Sequence, residues 1–286
     1  MKLGKIQLKS GDIRAAVVER GHVRPLKLEG PLRTLSDILH APDPWQAAID
    51  HMDEGSGDLP FEDVKLLAPT DFQEVWAAGV TYKRSQEARE RESVGAAKFY
   101  DMVYSAARPE LFFKAPAYRV SGPGEPVHIR RDSRWNVPEP ELALVISPRL
   151  DLVGYTIGND MSSRDIEGEN PLYLPQAKFY DRACALGPCI TLANTMPALS
   201  QITIQMQIER AGKAVFEGST SIEKMARSFQ DLISWLSKET SFPQGVVLLT
   251  GTGIVPADDF SLALGDMVHI DIAGIGRLTN KVDQRA

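Results

Sequence analysis

Apolar and polar positions along this chain change over short runs, mostly with the two-residue period of a strand. Lys2 to Leu8 and Ile13 to Glu19 alternate or cluster in that way on either side of Ser10-Gly11-Asp12, a turn-forming triplet. Leu35 to His40 and Trp45 to Met52 carry short helical patterns, and Gly55 to Pro60 reads as a loop. A boundary near residue 66 follows, between a small N-terminal α/β domain, 1–66, and a larger domain, 67–286. From Lys83 to about Ala107 the chain is rich in Arg, Glu and Ala and predicts a helix, with Gly95 as a break and Glu87 to Glu92 on a charged face. Strand-like runs resume at Leu111 to Lys114, Ala143 to Ile146, Tyr155 to Ile157, Ile202 to Glu209, Val246 to Leu249 and Met267 to Ile272. Parallel βαβ units would need a helix between most of these runs, and the pattern offers none. The prediction is therefore α+β, a mainly β domain with mixed or antiparallel sheets. One later helix is marked by the stripe Ile222, Met225, Ala226, Phe229, Leu232, Ile233 and Leu236, with Thr220 and Glu223 spaced as a capping box.

Composition changes this picture mainly by exclusion. With 286 residues, 43% of them apolar, the chain can fill a sizeable core. Its longest apolar runs, such as Leu142 to Ile146, are far too short to span a bilayer, and the N-terminus has no signal-like apolar stretch. The expectation is a cytoplasmic protein with no membrane partner. Cys184 and Cys189, the two cysteines, make neither a disulfide framework nor a zinc set and read as small buried apolar residues. Net charge is −6, with no Lys/Arg-rich run, so a nucleic-acid partner has no electrostatic footprint.

Candidate chemistry is concentrated in Asn136-Val-Pro-Glu-Pro-Glu-Leu-Ala-Leu-Val-Ile146. Residues two apart on a strand share a face, so Glu139 and Glu141 project together. Ala143 and Val145 follow on that side, with Leu142, Leu144 and Ile146 opposite, so both faces are apolar and the carboxylates sit at the strand's mouth. Two like charges beside a core repel and lose hydration. A hard divalent cation relieves both costs, and oxygen ligation suits Mg²⁺, Mn²⁺ or Ca²⁺. A third carboxylate, Asp160, ends Gly154-Tyr-Thr-Ile-Gly-Asn-Asp160 ahead of Met-Ser-Ser-Arg164-Asp165. Lys178 follows eighteen residues later. Alone, Asp160 resembles turn chemistry and Lys178 a surface lysine; together with the paired glutamates they make a constellation.

That order of segments, continued by Leu-Gly-Pro188, by Leu249-Thr-Gly-Thr-Gly253 and by Leu264 to Gly276, resembles the fumarylacetoacetate hydrolase family over roughly 66–282. The resemblance implies a mixed β-sheet roll, a homodimer and one Mg²⁺-type ion held by Glu139, Glu141 and Asp160. It also implies that Lys178 reaches the substrate's oxygens and that Thr252 helps hold its carboxylate. Tyr82, Ser85, Lys114 and Gly251 are further substrate-binding candidates. Carbon–carbon hydrolases of the family carry Gly-x-Asn-Tyr-x-x-His, whose histidine activates water. This chain reads Gly79-Val-Thr-Tyr82-Lys-Arg-Ser85, and no histidine occurs between His51 and His128. Serine is no base near neutral pH, so water activation by this route is lost.

The wording from Asp160 to Pro175, and Arg108-Pro-Glu110-Leu-Phe-Phe-Lys114, is instead similar to the branch that dehydrates 2-keto-3-deoxy-pentonates. There Glu110 takes the acid/base position. The expected substrate is a small 2-keto acid whose C1 and C2 oxygens chelate the ion, with Lys178 and Glu110 sharing proton removal at C3 and protonation of the C4 hydroxyl, and an oxo-aldehyde acid such as 2,5-dioxopentanoate as product. The rivals are a hydrolase or decarboxylase of acylpyruvates or oxaloacetate, Schiff-base dehydration through Lys178, and a non-catalytic protein binding 2-oxo acids or metal. Arg164 and Asp165 are expected to form a structural ion pair beside the ion.

Overall fold

The computed structural model describes residues 1–83, 85 and 103–285. The expected helix over 83–107, with the glutamates of 87–92, falls largely outside the described residues. The first strands, β1 (Lys2–Leu8), β2 (Ile13–Val18) and β3 (His22–Pro25), make an antiparallel meander. Helices α1 (Leu35–Leu39) and α2 (Pro44–Asp50) follow, then β4 (Leu59–Pro60) and β5 (Val64–Leu67). Thr34 closes a capping box with Asp37 at the start of α1, and Asp43 caps α2 ahead of Pro44.

Next come β6 (Glu74–Gly79), β7 (Glu110–Ala115), β8 (Val120–Ser121), β9 (Val127–Ile129), β10 (Asn136–Val137), β11 (Pro140–Ile146), β12 (Leu152–Asp160) and β13 (Ser162–Ser163). Two short helices, α3 (Arg164–Glu169) and α4 (Leu174–Lys178), lead to β14 (Cys184–Leu192), β15 (Thr203–Arg210) and β16 (Lys213–Ser221). Helix α5 (Phe229–Leu236) precedes β17 (Val246–Leu249), β18 (Met267–Ile272) and β19 (Gly276–Gln284). Among the described residues, twelve strands form one mixed sheet ordered β4-β3-β2-β1-β14-β12-β11-β17-β6-β7, with β5 on β1 and β8 on β14. A second sheet runs β16-β15-β18-β19-β9, and β10 pairs with β13. Parallel pairs, such as β17 with β6, sit among antiparallel ones, so the expected mixed, mainly β architecture is what the chain adopts.

The two large sheets share one apolar cluster, in which Leu142, Leu144, Ile146 and Ile157 meet Ile204, Met206, Ile270 and Leu278. Ala143 and Val145, on the other face of β11, pack into separate clusters. Every residue of β11 is buried, as its doubly apolar pattern predicts. Strand β1 pairs with β14, so the N-terminal strands extend the edge of the large sheet. Leu3, Val17, Leu35 and Ile38 there pack with Val145, Ile190 and Leu192.

One expectation fails in a specific way. The stripe from Ile222 to Leu236 is not one helix, and Thr220–Glu223 is not a capping box. Strand β16 runs on through Ser221, opposite Thr203, and Ile222 donates its N–H to the Ile202 carbonyl. Met225 is extended and bridges Tyr82, while Ala226 donates to the Thr81 carbonyl. Sheet pairing thus takes the first half of the stripe, and helix α5 begins at Phe229 with Ser228 as its cap. Cys184 and Cys189 are free and buried, and burial pushes their thiols up to about 12 and about 11.

A buried carboxylate and lysine site

The site lies where the start of β11 meets the end of β12. These strands are antiparallel, with Pro140 opposite Asn159 and Glu141 opposite Gly158. The Asp160 N–H donates to the Glu139 carbonyl at 2.9 Å, which sets Asp160 directly across from Glu139. Glu139 and Glu141 share a face by the strand's two-residue period, and Asp160 joins them by cross-strand register. One carboxylate oxygen from each of the three lies within 4.8 Å of the others, and all three residues are buried, between 1% and 4% exposed.

Chain cations surround this cluster. Lys178, the last residue of α4, donates from Nζ to Glu139 Oε2 at 2.6 Å and to Asp160 Oδ2 at 3.0 Å. Its ammonium also stands 5.7 Å from the centre of the Phe112 ring. Arg164, at the start of α3, donates from Nη2 to Glu139 Oε1 at 2.7 Å. Its guanidinium therefore serves the cluster, while Asp165 accepts from the Ser133 hydroxyl and the Arg134 N–H. Lys114, on β7, pairs with Asp160 Oδ1. Glu141 accepts from the Gly251 backbone N–H. Burial, then the charges of Asp160 and Glu139, hold the Glu141 carboxyl well above the usual carboxylate range.

A pocket opens onto these groups. Gly79, Val80, Ser85, Glu110, Phe112, Glu167, Gly251 and Thr252 line it together with the three carboxylates and Lys178. Glu110, the first residue of β7, faces Gly79 across the β6–β7 pair, and a methyl carbon at residue 79 would stand 2.6 Å from its carboxyl carbon. Only a glycine leaves room for that carboxylate. Gly251 has φ +92°, a conformation that favours glycine, and lies against the Thr81 side chain. The Thr81 hydroxyl donates to the Thr250 carbonyl at 2.6 Å, tying the turn after β6 to the loop after β17. Val80, in the same turn, has φ +53°, a strained value for a β-branched residue.

The structure therefore gathers Glu110, Lys178, Glu139, Glu141, Asp160, Ser85, Gly251 and Thr252 around one pocket. Tyr82 and Lys114 stand behind it. Tyr82 packs against Gly253, where a methyl would stand 2.7 Å from its ring. Its hydroxyl has no partner among the described residues, and burial, then the Glu141 charge, push its pKa up. No described residue lining the pocket is a histidine. Sequence reasoning missed Glu167, 3% exposed, which accepts from the Ser162 hydroxyl at 3.0 Å. It stands one helical turn past Arg164, and that spacing is a signal that could have found it. Phe112 and Gly79 were missed as well.

Three buried carboxylates with oxygen atoms this close form an all-oxygen donor set whose mutual repulsion a small divalent ion relieves, so the residues fit Mg²⁺. The class defined by fold and site is that of metal-assisted enzymes acting on oxygen-rich small molecules. Residues 74–283 match the family described as fumarylacetoacetate (FAA) hydrolase C-terminal, and the chain belongs to this family. It is 44% identical over 260 residues, 89% of each chain, to a probable 2-keto-3-deoxyxylonate dehydratase of Haloferax volcanii. A 2-dehydro-3-deoxy-D-arabinonate dehydratase of Saccharolobus solfataricus is 42% identical over 226 residues, 78% of this chain and 76% of that one. Among solved structures, a 2-keto-3-deoxy-D-arabinonate dehydratase complexed with magnesium and 2,5-dioxopentanoate superposes with a TM-score of 0.85 at 33% identity, covering 100% of this chain and 99% of that one.

Proposed function

We propose that this chain is a divalent-metal-dependent dehydratase of 2-keto-3-deoxy sugar acids, converting a pentonate to a 2,5-dioxopentanoate-type product. The observation that carries the reading is the buried triad of Glu139, Glu141 and Asp160, bonded by Lys178 and opening onto a pocket that holds Glu110. The triad would hold Mg²⁺, with Mn²⁺ and Ca²⁺ as further candidates for the same oxygen set. When bound, the ion supplies a Lewis acid for negative charge developing on the oxygens of a 2-oxo acid.

The chain's own groups account for the remaining chemistry. Lys178 and Glu110 are the two proton-transfer groups on the pocket wall, one removing the C3 proton and the other protonating the C4 hydroxyl as its C–O bond breaks. Water leaves as the C3–C4 double bond forms. Loss of a C5 proton and protonation at C3 then move the double bond to C4–C5, and that enol ketonises to the oxo-aldehyde acid. Thr252, Ser85 and the Gly251 backbone lie within the same pocket as partners for the substrate's carboxylate and hydroxyls. A hydrolase of this family needs a base for water, and Ser85 at that position is not one. The same reading takes the protein as a cytoplasmic homodimer with a small N-terminal domain, 1–66, beside the catalytic domain, 67–286.

The test is incubation of EDTA-stripped protein with 2-keto-3-deoxy-arabinonate or -xylonate, with and without Mg²⁺, followed by NMR. A metal-dependent oxo-aldehyde product is expected. No reaction there, with pyruvate released from an acylpyruvate or CO₂ from oxaloacetate, would refute dehydration. Borohydride added during turnover should leave the protein unlabelled; a trapped adduct on Lys178 would establish the Schiff-base route instead.

A further inference from the structure

We infer that Lys114 is a positioning residue that sets the metal-binding triad against Lys178, an inference that rests on the metal-dependent reading above. Lys114 is 0% exposed, a rare state for a lysine. An ammonium has three N–H donors; this one donates to the Met161 carbonyl at 2.9 Å and the Lys178 carbonyl at 2.6 Å, and its charge pairs with the Asp160 carboxylate through Oδ1. Its ammonium is thus held by two backbone carbonyls and one carboxylate of the chain, and Lys114 is not among the pocket-lining residues. Contact with substrate is not the use to which this geometry puts it.

The acceptors explain what the residue does. Asp160 ends β12 with Met161 directly after it, and Lys178 ends α4; these two chain ends deliver a metal-binding carboxylate and the amine that works beside it. One side chain, projecting from a third element, β7, ties them together. It holds Asp160 by one oxygen while Lys178 takes the other. Groups that orient metal ligands through such outer bonds commonly change metal affinity or activity by roughly 10- to 100-fold when removed. Lys114 also fixes the backbone from which the Lys178 side chain extends, so both halves of the proposed chemistry depend on it.

The experiment uses Lys114→Met, which keeps the side chain's length and loses its donors, and Lys114→Gln, which keeps two. Fold is checked by circular dichroism in EDTA. Calorimetry then measures Mg²⁺ alone, and afterwards oxalate, a planar analogue of a 2-oxo acid enolate, at saturating Mg²⁺. We expect Mg²⁺ affinity to fall at least tenfold in Lys114→Met with partial recovery in Lys114→Gln, and oxalate affinity to stay within twofold once metal is saturating. A folded variant with unchanged Mg²⁺ affinity, or a loss confined to oxalate, would overturn the inference in favour of substrate binding. Loss of fold in both variants would overturn it in favour of a purely structural role. Failure of the wild type to bind a divalent ion would overturn this inference and the metal reading together, whereas metal binding without dehydration would overturn only the latter's substrate.

Discussion

Gly79→Ala should separate chemistry from binding and from stability. Gly79 lies opposite Glu110, and an added methyl would stand 2.6 Å from the Glu110 carboxyl carbon, where ordinary contact needs 3.4–4 Å. The clash falls on the far end of a flexible, half-buried side chain, so the carboxylate swings away and the strand stays in place. An alanine in β6 fits the backbone, and the three atoms nearest the added methyl all belong to Glu110. The expected change in melting temperature is therefore small. Misplacing a reacting group by about 1 Å can cost on the order of 10²-fold, and removing a general acid or base costs about 10²- to 10⁴-fold. Dehydration should accordingly slow by roughly 10²- to 10⁴-fold in kcat, about 3–5 kcal/mol on the barrier. The triad is untouched, so calorimetric Mg²⁺ affinity should remain within twofold of wild type. Glu110→Gln should show the same kcat loss with the same metal affinity. Near wild-type kcat for Gly79→Ala, with Glu110→Gln inactive, would show that the carboxylate works from another position; near wild-type kcat for both would remove Glu110 from the mechanism.

Other expectations follow from the same geometry. Gly251→Ala places a methyl against the Thr81 hydroxyl and 3.0 Å from the Ala78 carbonyl at a φ of +92°, so it should lower stability by about 2–4 kcal/mol in denaturant titrations and weaken Mg²⁺ binding through Glu141. Magnesium at a hundredfold excess over its Kd should raise stability by about 2.7 kcal/mol, read as a rise in melting temperature that EDTA reverses; no shift would contradict the triad as a metal site. Burial lowers the His40 pKa from its ordinary 6.5, so the unfolded chain binds more protons just below that value. Stability should fall as pH drops through 6.5 toward the lowered folded value, and His40→Gln should flatten that part of the melting-temperature profile. Glu141→Gln should abolish Mg²⁺ binding and turnover while raising the melting temperature measured in EDTA.

What the sequence revealed, and what it hid, divides along one physical line. Properties that depend on a residue's own strand were legible: the shared face of Glu139 and Glu141, the doubly buried β11, and the bounds of β1, β17 and β18. Properties that depend on which strand lies alongside were not. Gly79 acquires its importance from register with Glu110, and neither residue marks the other in the chain. Strand β14 escaped notice because Gly187-Pro188 interrupts its pattern, although its neighbours β12 and β1 carry it through the sheet. The stripe from Ile222 misled because a three-residue turn followed by an extended segment can place apolar side chains inward at spacings that a helix also produces. Asp160 and Lys178 became legible through family resemblance, since their approach to Glu139 depends on cross-strand register and on the short helices that follow β12. Lys114 shows the remaining limit. It stood among the substrate-binding candidates, and only three-dimensional placement shows its ammonium donating to the Met161 and Lys178 carbonyls and paired with Asp160.

The electrostatics of the triad explain why Glu141 is the residue to neutralise. Burying a carboxylate costs several kcal/mol unless partners replace its hydration. Glu139 has Arg164 and Lys178, and Asp160 has Lys114 and Lys178. Glu141 is met by the Gly251 N–H, a dipole and not a charge; it faces two like charges, and the opposing charge of Lys178 acts on it more weakly than either. Its carboxyl is therefore held above the ordinary value of 4.5, and the sign of the consequence is fixed. A group whose folded pKa is raised supports the fold at low pH and withdraws that support as pH rises through the raised value. At pH above the ordinary value of 4.5, Glu141 is thus a cost that the metal-free fold carries, and a bound divalent cation would offset it. Glutamine at 141 keeps the shape, discards the charge and forfeits the ligand. A higher melting temperature in EDTA together with loss of the Mg²⁺ response is the pairing this account requires; a lower one would mean that the Gly251 bond to a charged Glu141 outweighs repulsion from its neighbours.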